Sequence, residues 1–537
     1  MKKRIVVLLI ILALAFSLAA CNSSDDPASP GNAGSSGDAG GGGSAGGSGD
    51  SGSSGGSGGS GTSGGSPVEI TVSRDRVPSS LEPQDEDNPM ATTATYLIFD
   101  RLVAFDNNTN EWLPQVATKW NQVDDTTWTF DINLDIKFHN GDTLTMDDVI
   151  FSFTRASQFP RSADNWNMVE SVTADGNVLT MKFKNNFVTT PSKVLAQGFI
   201  VNKAYIEAGG DDAIFLNPIA TGPYRVTEFT PLSSISMEAF DDYFGGRPSI
   251  DVYHFVGMPE TDARYIALES GQIQYAGDLN RISYDMADAD PNLTPVGNLS
   301  KSVTCVSFNC TRPPFDNVNV RRALVHSLNI EGYAAFDKEQ TARSLLYGGY
   351  MDMYYEGAHY PEFDLQKAKD MLAAEGFDDS NPLKFELLCV STRPGQEMWQ
   401  ADLKSIGVEM SITRPEFGTY ISRETSSDYD VLTTGQGNRG NHPLTDLDRF
   451  SNDMFGSRNF CLYTSDHVQE LINEIRVTKD EARRTALSHE LEDILSQDVP
   501  MVGIYLDFLK GAGVKGLTGV VYDGWGRALF RGASFSG

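Results

Sequence analysis

A mixed α/β fold is predicted for most of this 537-residue chain, on three observations. From about Pro67 onward, short apolar runs of strand length alternate with amphipathic stripes of helical period. Capping residues, glycines and prolines fall between these segments rather than inside them. The span from there to Gly537 is about 470 residues, enough for two or three domains that each bury a core.

The 66 residues before this span read differently. Lys2, Lys3 and Arg4 precede an apolar run from Ile5 to Leu18, and small residues follow. That is the layout of a secretory signal, predicted for residues 1–20. At about 14 apolar residues the run is short for a membrane span. Leu18-Ala19-Ala20-Cys21 resembles a bacterial lipobox, which implies lipidation of Cys21 and attachment to the outer face of a membrane. Residues 21–66 are then a lipid-anchored linker, almost wholly Gly, Ser, Ala, Asp and Asn. Such a chain buries too little apolar surface to offset its ordering entropy, so disorder is predicted. As a flexible coil it would hold the folded part about 35–40 Å from the membrane.

Within the folded part, Trp128 to Leu134 alternates with period 2 and reads as a half-buried strand. Thr145-Met146-Asp147-Asp148 is a capping pattern that opens a helix with Val149, Ile150 and Phe153 on one face. Asp262 to Ser270 is predicted helical with Ala263, Ile266 and Ala267 inward; Gly271 stops it, and Gln272 to Ala276 returns as a strand. Val320, Leu324, Val325 and Leu328 form an apolar stripe, as do Leu365, Ala368 and Leu372. Leu487, Leu491, Ile494 and Leu495 mark a long helix that leads through Pro500 into the strand Met501 to Leu506.

The formal net charge of −30 argues against nucleic acid as a partner and against polybasic docking on anionic lipid. Besides Cys21 there are Cys305, Cys310, Cys389 and Cys461. Cys305 and Cys310 lie in one extended segment, about 16 Å apart, too far to pair with each other. Either could pair with Cys389, or all could be free buried thiols. No C-x-x-C or H-x₃-H spacing marks a metal site.

Five segments, taken in order, carry a family resemblance. They are Leu102 to Phe105 with Trp112 to Trp120; Lys137-Phe138-His139-Asn140-Gly141-Asp142 through Ser152; Thr221-Gly222-Pro223-Tyr224-Arg225; Asp242 to Pro248; and Pro314 to Leu324. Together they resemble the large extracytoplasmic solute-binding proteins of the peptide/nickel/opine ABC-transporter family, over nearly all of residues 68–520. The resemblance implies an α/β, two-lobed periplasmic-binding-protein-like fold with a hinge and an extra α/β subdomain in lobe I. By that analogy lobe I comprises 67–111, 218–302 and 500–537, the appended subdomain 112–217, and lobe II 303–499. It implies capture of a short peptide in the interlobe cleft and delivery to the permease subunits of an ABC importer, by a monomer on the extracytoplasmic face of the cell membrane. Other solutes known to such receptors are opines, sugars and nickel-chelates, and a receptor of this kind can also report to a sensor.

Leu383 to Val390 reads as a buried strand, followed by Ser391-Thr392-Arg393-Pro394-Gly395 and a helix through Trp399 and Leu403. Arg393 thus lies at a strand's C-terminal end, where open α/β sheets place their ligands. The following proline biases it to an extended conformation, and its guanidinium suits a carboxylate. In dipeptide-binding members a similar Arg-Pro pair holds the peptide's C-terminal carboxylate, so the resemblance implies that role for Arg393. Those members also carry an aspartate in the loop after the strand equivalent to Tyr429 to Leu432, where it pairs with the peptide's ammonium. Here the loop Thr433 to Pro443 holds no acid and no tryptophan, tyrosine or phenylalanine. Gln436 and Asn438 suit a neutral polar solute, Arg439 together with Arg393 an anionic one, and a solvated loop suits all three. Thr92 and Thr93 occupy the family's lobe I ligand loop.

No catalytic residue, cofactor or resident metal is expected. Gly511 to Gly516 fits G-x-G-x-x-G, but an apolar strand-like run rather than a helix follows it. His489-Glu490-Leu491-Glu492-Asp493 lacks a zinc protease's second histidine. Asp285, Asp288 and Asp290 lack the glycine and glutamate of a calcium loop, and the motifs of an exported hydrolase are missing.

Overall fold

The computed structural model describes residues 67–536 except 85–88, 107–110, 160–165, 189, 196–197, 210, 337–338, 343, 346–354, 356–358, 391–392, 437–446, 456–457 and 524–525. The signal, Cys21 and the Gly/Ser-rich segment therefore lie outside the described residues.

Among the described residues, eleven strands form one sheet with two parallel-stranded halves. In one half, Glu69–Arg74 runs parallel to Val252–Gly257 and to Tyr275–Ala276, and Ser234–Ala239 and Tyr224–Thr230 extend the edge antiparallel. In the other, Lys384–Leu388 runs parallel to Glu409–Thr413 and Val431–Gln436. Parallel strands are covered on both faces, which is why Ile70, Val72, Leu387, Leu388, Val431 and Leu432 are all fully buried.

Two long antiparallel strands, Leu293–Phe308 and Met501–Val514, join the halves, pairing from Leu293↔Val514 to Ser307↔Met501. Their register shifts between Leu299 and Val303 and again between Thr304 and Cys305. Irregularities of this kind bend a strand and increase its local twist.

A separate four-stranded antiparallel sheet, in the order Ala117–Gln122, Thr127–Ile132, Val178–Phe183, Val169–Asp175, carries the helix Met146–Ala156. Thr145 caps that helix as predicted: its hydroxyl accepts from the Asp148 N–H at 3.2 Å, and Asp148 accepts from the Thr145 N–H at 2.9 Å. Phe130, Phe138, Val149, Phe153 and Leu179 lie in the core of this unit. A buried bidentate pair ties it to the first half-sheet, with Arg155 Nη1 and Nη2 donating to Glu82 at 2.9 and 2.7 Å. Two of the family-like segments meet nearby. His139 Nε2 lies 3.0 Å from the Gly222 carbonyl, its Nδ1 accepts from the Ala220 N–H at 3.4 Å, and burial pushes the ring's pKa down to about 4. Gly222 must be glycine here, because a Cβ would stand 2.4 Å from the Ile98 carbonyl oxygen.

The core of residues 303–499 also includes Met501, Val502, Ile504, Tyr505 and Leu506, whereas the Glu69–Arg74 half packs around a second core with Ile70, Val72, Tyr253 and Tyr275. The strand Met501–Val514 therefore begins in one core and ends beside the other. The predicted stripes at Val320, Leu324, Val325 and Leu328 and at Leu487, Leu491 and Leu495 are buried.

Two readings are corrected. In the helix Thr261–Glu269 the buried face is Arg264, Tyr265, Ala267 and Leu268, while Ala263 and Ile266 are exposed. The face is rotated because the Arg264 guanidinium turns inward onto carbonyls of Gly277, Pro259 and Asp278. The strand predicted for 272–276 shortens to Tyr275–Ala276, because the N–H groups of Gln272 and Ile273 close the preceding helix on Ala267 O. Of the cysteine alternatives, the structure shows free thiols at Cys305, Cys310, Cys389 and Cys461.

Candidate functional site

Arg393 lies where the sequence placed it, between the strand Lys384–Leu388 and the helix Pro394–Ser405, with extended backbone (φ −126°, ψ 151°). Pro394 sits in the first helical turn, where its missing N–H costs nothing. The Arg393 N–H donates to Gln396 Oε1 at 3.0 Å, and Gln396 Nε2 donates to Thr433 Oγ1 at 3.2 Å. The helix start is thereby fixed to the neighbouring strand Val431–Gln436. Trp399, 1% exposed, anchors the same helix in the core, and its indole N–H donates to Ser327 Oγ at 2.8 Å.

The guanidinium is not idle. Its Nη1 donates to Glu339 at 3.1 Å and to Asp507, and the ring of Tyr505 lies 5.8 Å from its carbon. Asp507 sits in the joining strand opposite the register break, between the residues paired with Leu299 and Val303, and Thr304 Oγ1 donates to its other oxygen at 3.3 Å. The Arg393 side chain is 34% exposed and that of Asp507 23%, while Glu339 is buried at 3%. The Asp507 charge, against the opposing effect of burial, raises the Arg393 pKa further, so the guanidinium stays charged at any working pH. Two carboxylates face one guanidinium at the end of a parallel sheet. Both carboxylate contacts use Nη1, which leaves the Nε/Nη2 edge for a further acceptor.

Of the other predicted residues, Thr93 is described in full and is not brought to this cluster. Thr93 is 1% exposed, and its hydroxyl accepts from Arg74 Nη1 at 3.1 Å. Arg74 in turn pairs with Asp278 at 2.7 Å, so Thr93 braces an ion pair at the end of the strand Glu69–Arg74. Gln436 closes the strand Val431–Gln436, pairing with Val303, and its side chain is outside the described residues. Asn438, Arg439 and the Thr92 side chain also lie outside them.

Sequence reasoning passed over Asp507, Glu339 and Tyr505. A signal for the first did exist: Asp507 is the lone charge in the run Met501-Val502-Gly503-Ile504-Tyr505-Leu506-Asp507-Phe508-Leu509. A charge inside a buried strand needs a partner. Among the described residues no group of three or more His, Cys, Asp or Glu could hold a metal ion, and no helix is long and apolar enough to cross a membrane.

Residues 111–456, more than half of the chain, match the model of the bacterial extracellular solute-binding proteins, family 5. The chain belongs to that family. The dipeptide-binding protein of Escherichia coli K12 is 26% identical over 479 residues, spanning 81% of this chain and 89% of its own. The dipeptide-binding protein of Pseudoalteromonas sp. SM9913, solved with Met-Leu, superposes with a TM-score of 0.80 at 20% identity, covering 87% of this chain and all of that one. The nickel-binding protein NikA of Staphylococcus aureus, solved with Ni(L-His)2, gives a TM-score of 0.76 at 20% identity and covers 87% of this chain and all of that one. These likenesses establish the periplasmic-binding-protein fold expected from the sequence. The family is one of solute receptors, and its members act outside the cytoplasm.

Proposed function

We propose that this family 5 receptor captures short peptides in the cleft between its lobes and delivers them to the permease of an ABC importer. The observation that carries the reading is Arg393. It is a partly exposed guanidinium at the end of a parallel strand, with one edge open to a carboxylate. The names of several relatives, among them di/tripeptide-binding proteins of Pseudomonas aeruginosa, support the same class of solute. Lobe I is assigned to 67–111, 218–302 and 500–537, the appended subdomain to 112–217 and lobe II to 303–499. The register break between the joining strands supports a hinge there, about which closure would signal to the permease. Cys21 would carry the lipid that tethers the receptor, and no chemistry on the solute is involved.

A thermal-shift screen of the protein against di- to pentapeptides, opines, sugars and nickel–histidine tests the reading, since any ligand of the native state raises the midpoint. Stabilisation by peptides, lost in Arg393→Ala, is the expected result. Stabilisation by sugars or nickel–histidine alone would overturn the peptide assignment.

A further inference from the structure

We infer that Cys310 and Cys461 form a disulfide when the chain folds under oxidising conditions outside the cytoplasm. The bond is independent of which solute the receptor takes.

The Cys310 N–H donates to the Cys461 carbonyl at 2.9 Å. Standard bond lengths then hold the two Cα atoms within about 6.8 Å of each other, however the link is angled. Bridged cysteines lie about 4.4–6.8 Å apart, and pairs beyond about 7 Å cannot be joined without moving the backbone. The two side chains also share one environment. Cys461 is 1% exposed in the core of residues 303–499, and the half-buried Cys310 packs against that core. Burial first, and the Cys310 thiol second, push the Cys461 thiol up, so the two sulfurs are close enough to act on each other.

Neither thiol is held by a strong contact. Cys310 Sγ donates to the Phe308 carbonyl at 3.6 Å and Cys461 Sγ to Asn459 Oδ1 at 3.0 Å, and thiols are weak donors. Asn459 Oδ1 also accepts from the Tyr463 N–H at 3.3 Å, so it keeps a donor when Cys461 turns away. The other two cysteines are placed differently. Cys305 stands five residues up the joining strand, where its register partners are Thr434 and Gly503. Cys389 follows the strand Lys384–Leu388, and Val431–Gln436 lies between that strand and the one carrying Cys305. Two strand spacings are about 9.5 Å, beyond the reach of a bridge.

The bond requires a disulfide oxidant, such as glutathione disulfide. One cysteine thiolate attacks it, forms a mixed disulfide and releases one thiol. The second cysteine loses its proton, attacks the first cysteine's sulfur, closes the Cys310–Cys461 bond and releases the other thiol. Two electrons and two protons thus pass from the cysteines to the oxidant. In the folded, reduced protein burial holds the Cys310 thiol up at about 11 and the Cys461 thiol higher, which leaves little thiolate to start the exchange. Oxidation therefore belongs to folding, before the pair is sealed. The bond ties the turn after Leu293–Phe308 to the one before the helix Asp466–Val477.

The test is peptide mapping of the full chain, unfolded and reduced, then refolded in a glutathione redox buffer and alkylated. Most of the wild type should yield a peptide pair joined through Cys310 and Cys461 that reductant separates, with Cys305 and Cys389 alkylated. In urea, where the folded geometry is absent, that preference for one pairing should be lost. Cys310 and Cys461 both alkylated in the refolded protein, either of them joined to another cysteine, or the same pairing formed equally in urea, overturns the assignment. If the chain does not refold, mapping of the protein exported by a bacterial host and alkylated at harvest decides between the bridge and the two free thiols. Reductant should lower the urea midpoint of the bridged wild type and leave that of Cys461→Ser unmoved.

Discussion

Acidification should destabilise this protein through the buried ring of His139. His139 is 7% exposed, with its Nε2 on the Gly222 carbonyl, its Nδ1 on the Ala220 N–H and its ring 5.1 Å from that of Phe240. The neutral ring satisfies both contacts, since Nε2–H donates and bare Nδ1 accepts. A proton on Nδ1 would turn two donors against each other. Burial first, and the charge of Arg225 second, lower the ring's pKa from 6.5 to about 4, against the opposing pull of the Gly222 carbonyl. The unfolded chain therefore binds a proton near pH 6.5 that the folded chain refuses until about pH 4. The contribution is complete above the unfolded pKa and is lost as pH falls from 6.5 to about 4. At 1.36 kcal/mol per unit, a depression of about 2.5 units corresponds to about 3 kcal/mol. Urea unfolding of wild type and His139→Gln at a series of pH values isolates the effect. Glutamine keeps an N–H for Gly222 and does not titrate, and carboxylates with lowered pKa, such as Asp251 and Glu386, act equally in both proteins. The stability difference between the two should shrink by about 2–3 kcal/mol on going from neutral pH to about pH 4.5. A difference independent of pH would refute the buried neutral ring.

Three further outcomes follow from contacts elsewhere. Gly222→Ala places a Cβ against the Ile98 carbonyl oxygen and should cost at least about 2–3 kcal/mol in urea unfolding. Glu82→Ala takes the carboxylate from the buried Arg155, which keeps Gln84 at 2.7 Å, and should cost about 3 kcal/mol, whereas Lys479→Ala, which breaks an exposed pair with Asp125, should cost under about 1 kcal/mol. Cys305, Cys389 and Cys461 should react with a thiol reagent only after unfolding, as should the half-buried Cys310, whose thiol burial pushes up to about 11. Rapid labelling of any of the four in the native protein would contradict that packing.

Much of the fold was legible where local chemistry and packing agree. The Thr145 cap, the strand at Trp128 and the stripes around Leu324 and Leu491 are written in periods and caps that tertiary contacts only reinforce. The helix at Thr261–Glu269 shows where that reasoning stops. Hydropathy turns Ile266 inward and Arg264 outward, and the structure does the reverse, because the carbonyls that receive Arg264 come from residues before and after the helix. No window over the helix alone contains them.

The site was legible by half, for a related reason. Arg393 announces itself through local grammar: a buried strand, a loop, then a proline that opens a helix. Its partners come from elsewhere in the chain, Glu339 from 54 residues before it and Asp507 from 114 after. Resemblance alone directs attention to the loop after Val431, where an acid is expected and none is found. Charge bookkeeping directs it to Met501–Val514, where an acid interrupts an apolar strand without local cause. A buried strand tolerates such a residue only if something distant compensates it. Arg393 does so here, and because the two lie 114 residues apart, the neighbours of neither announce the pair.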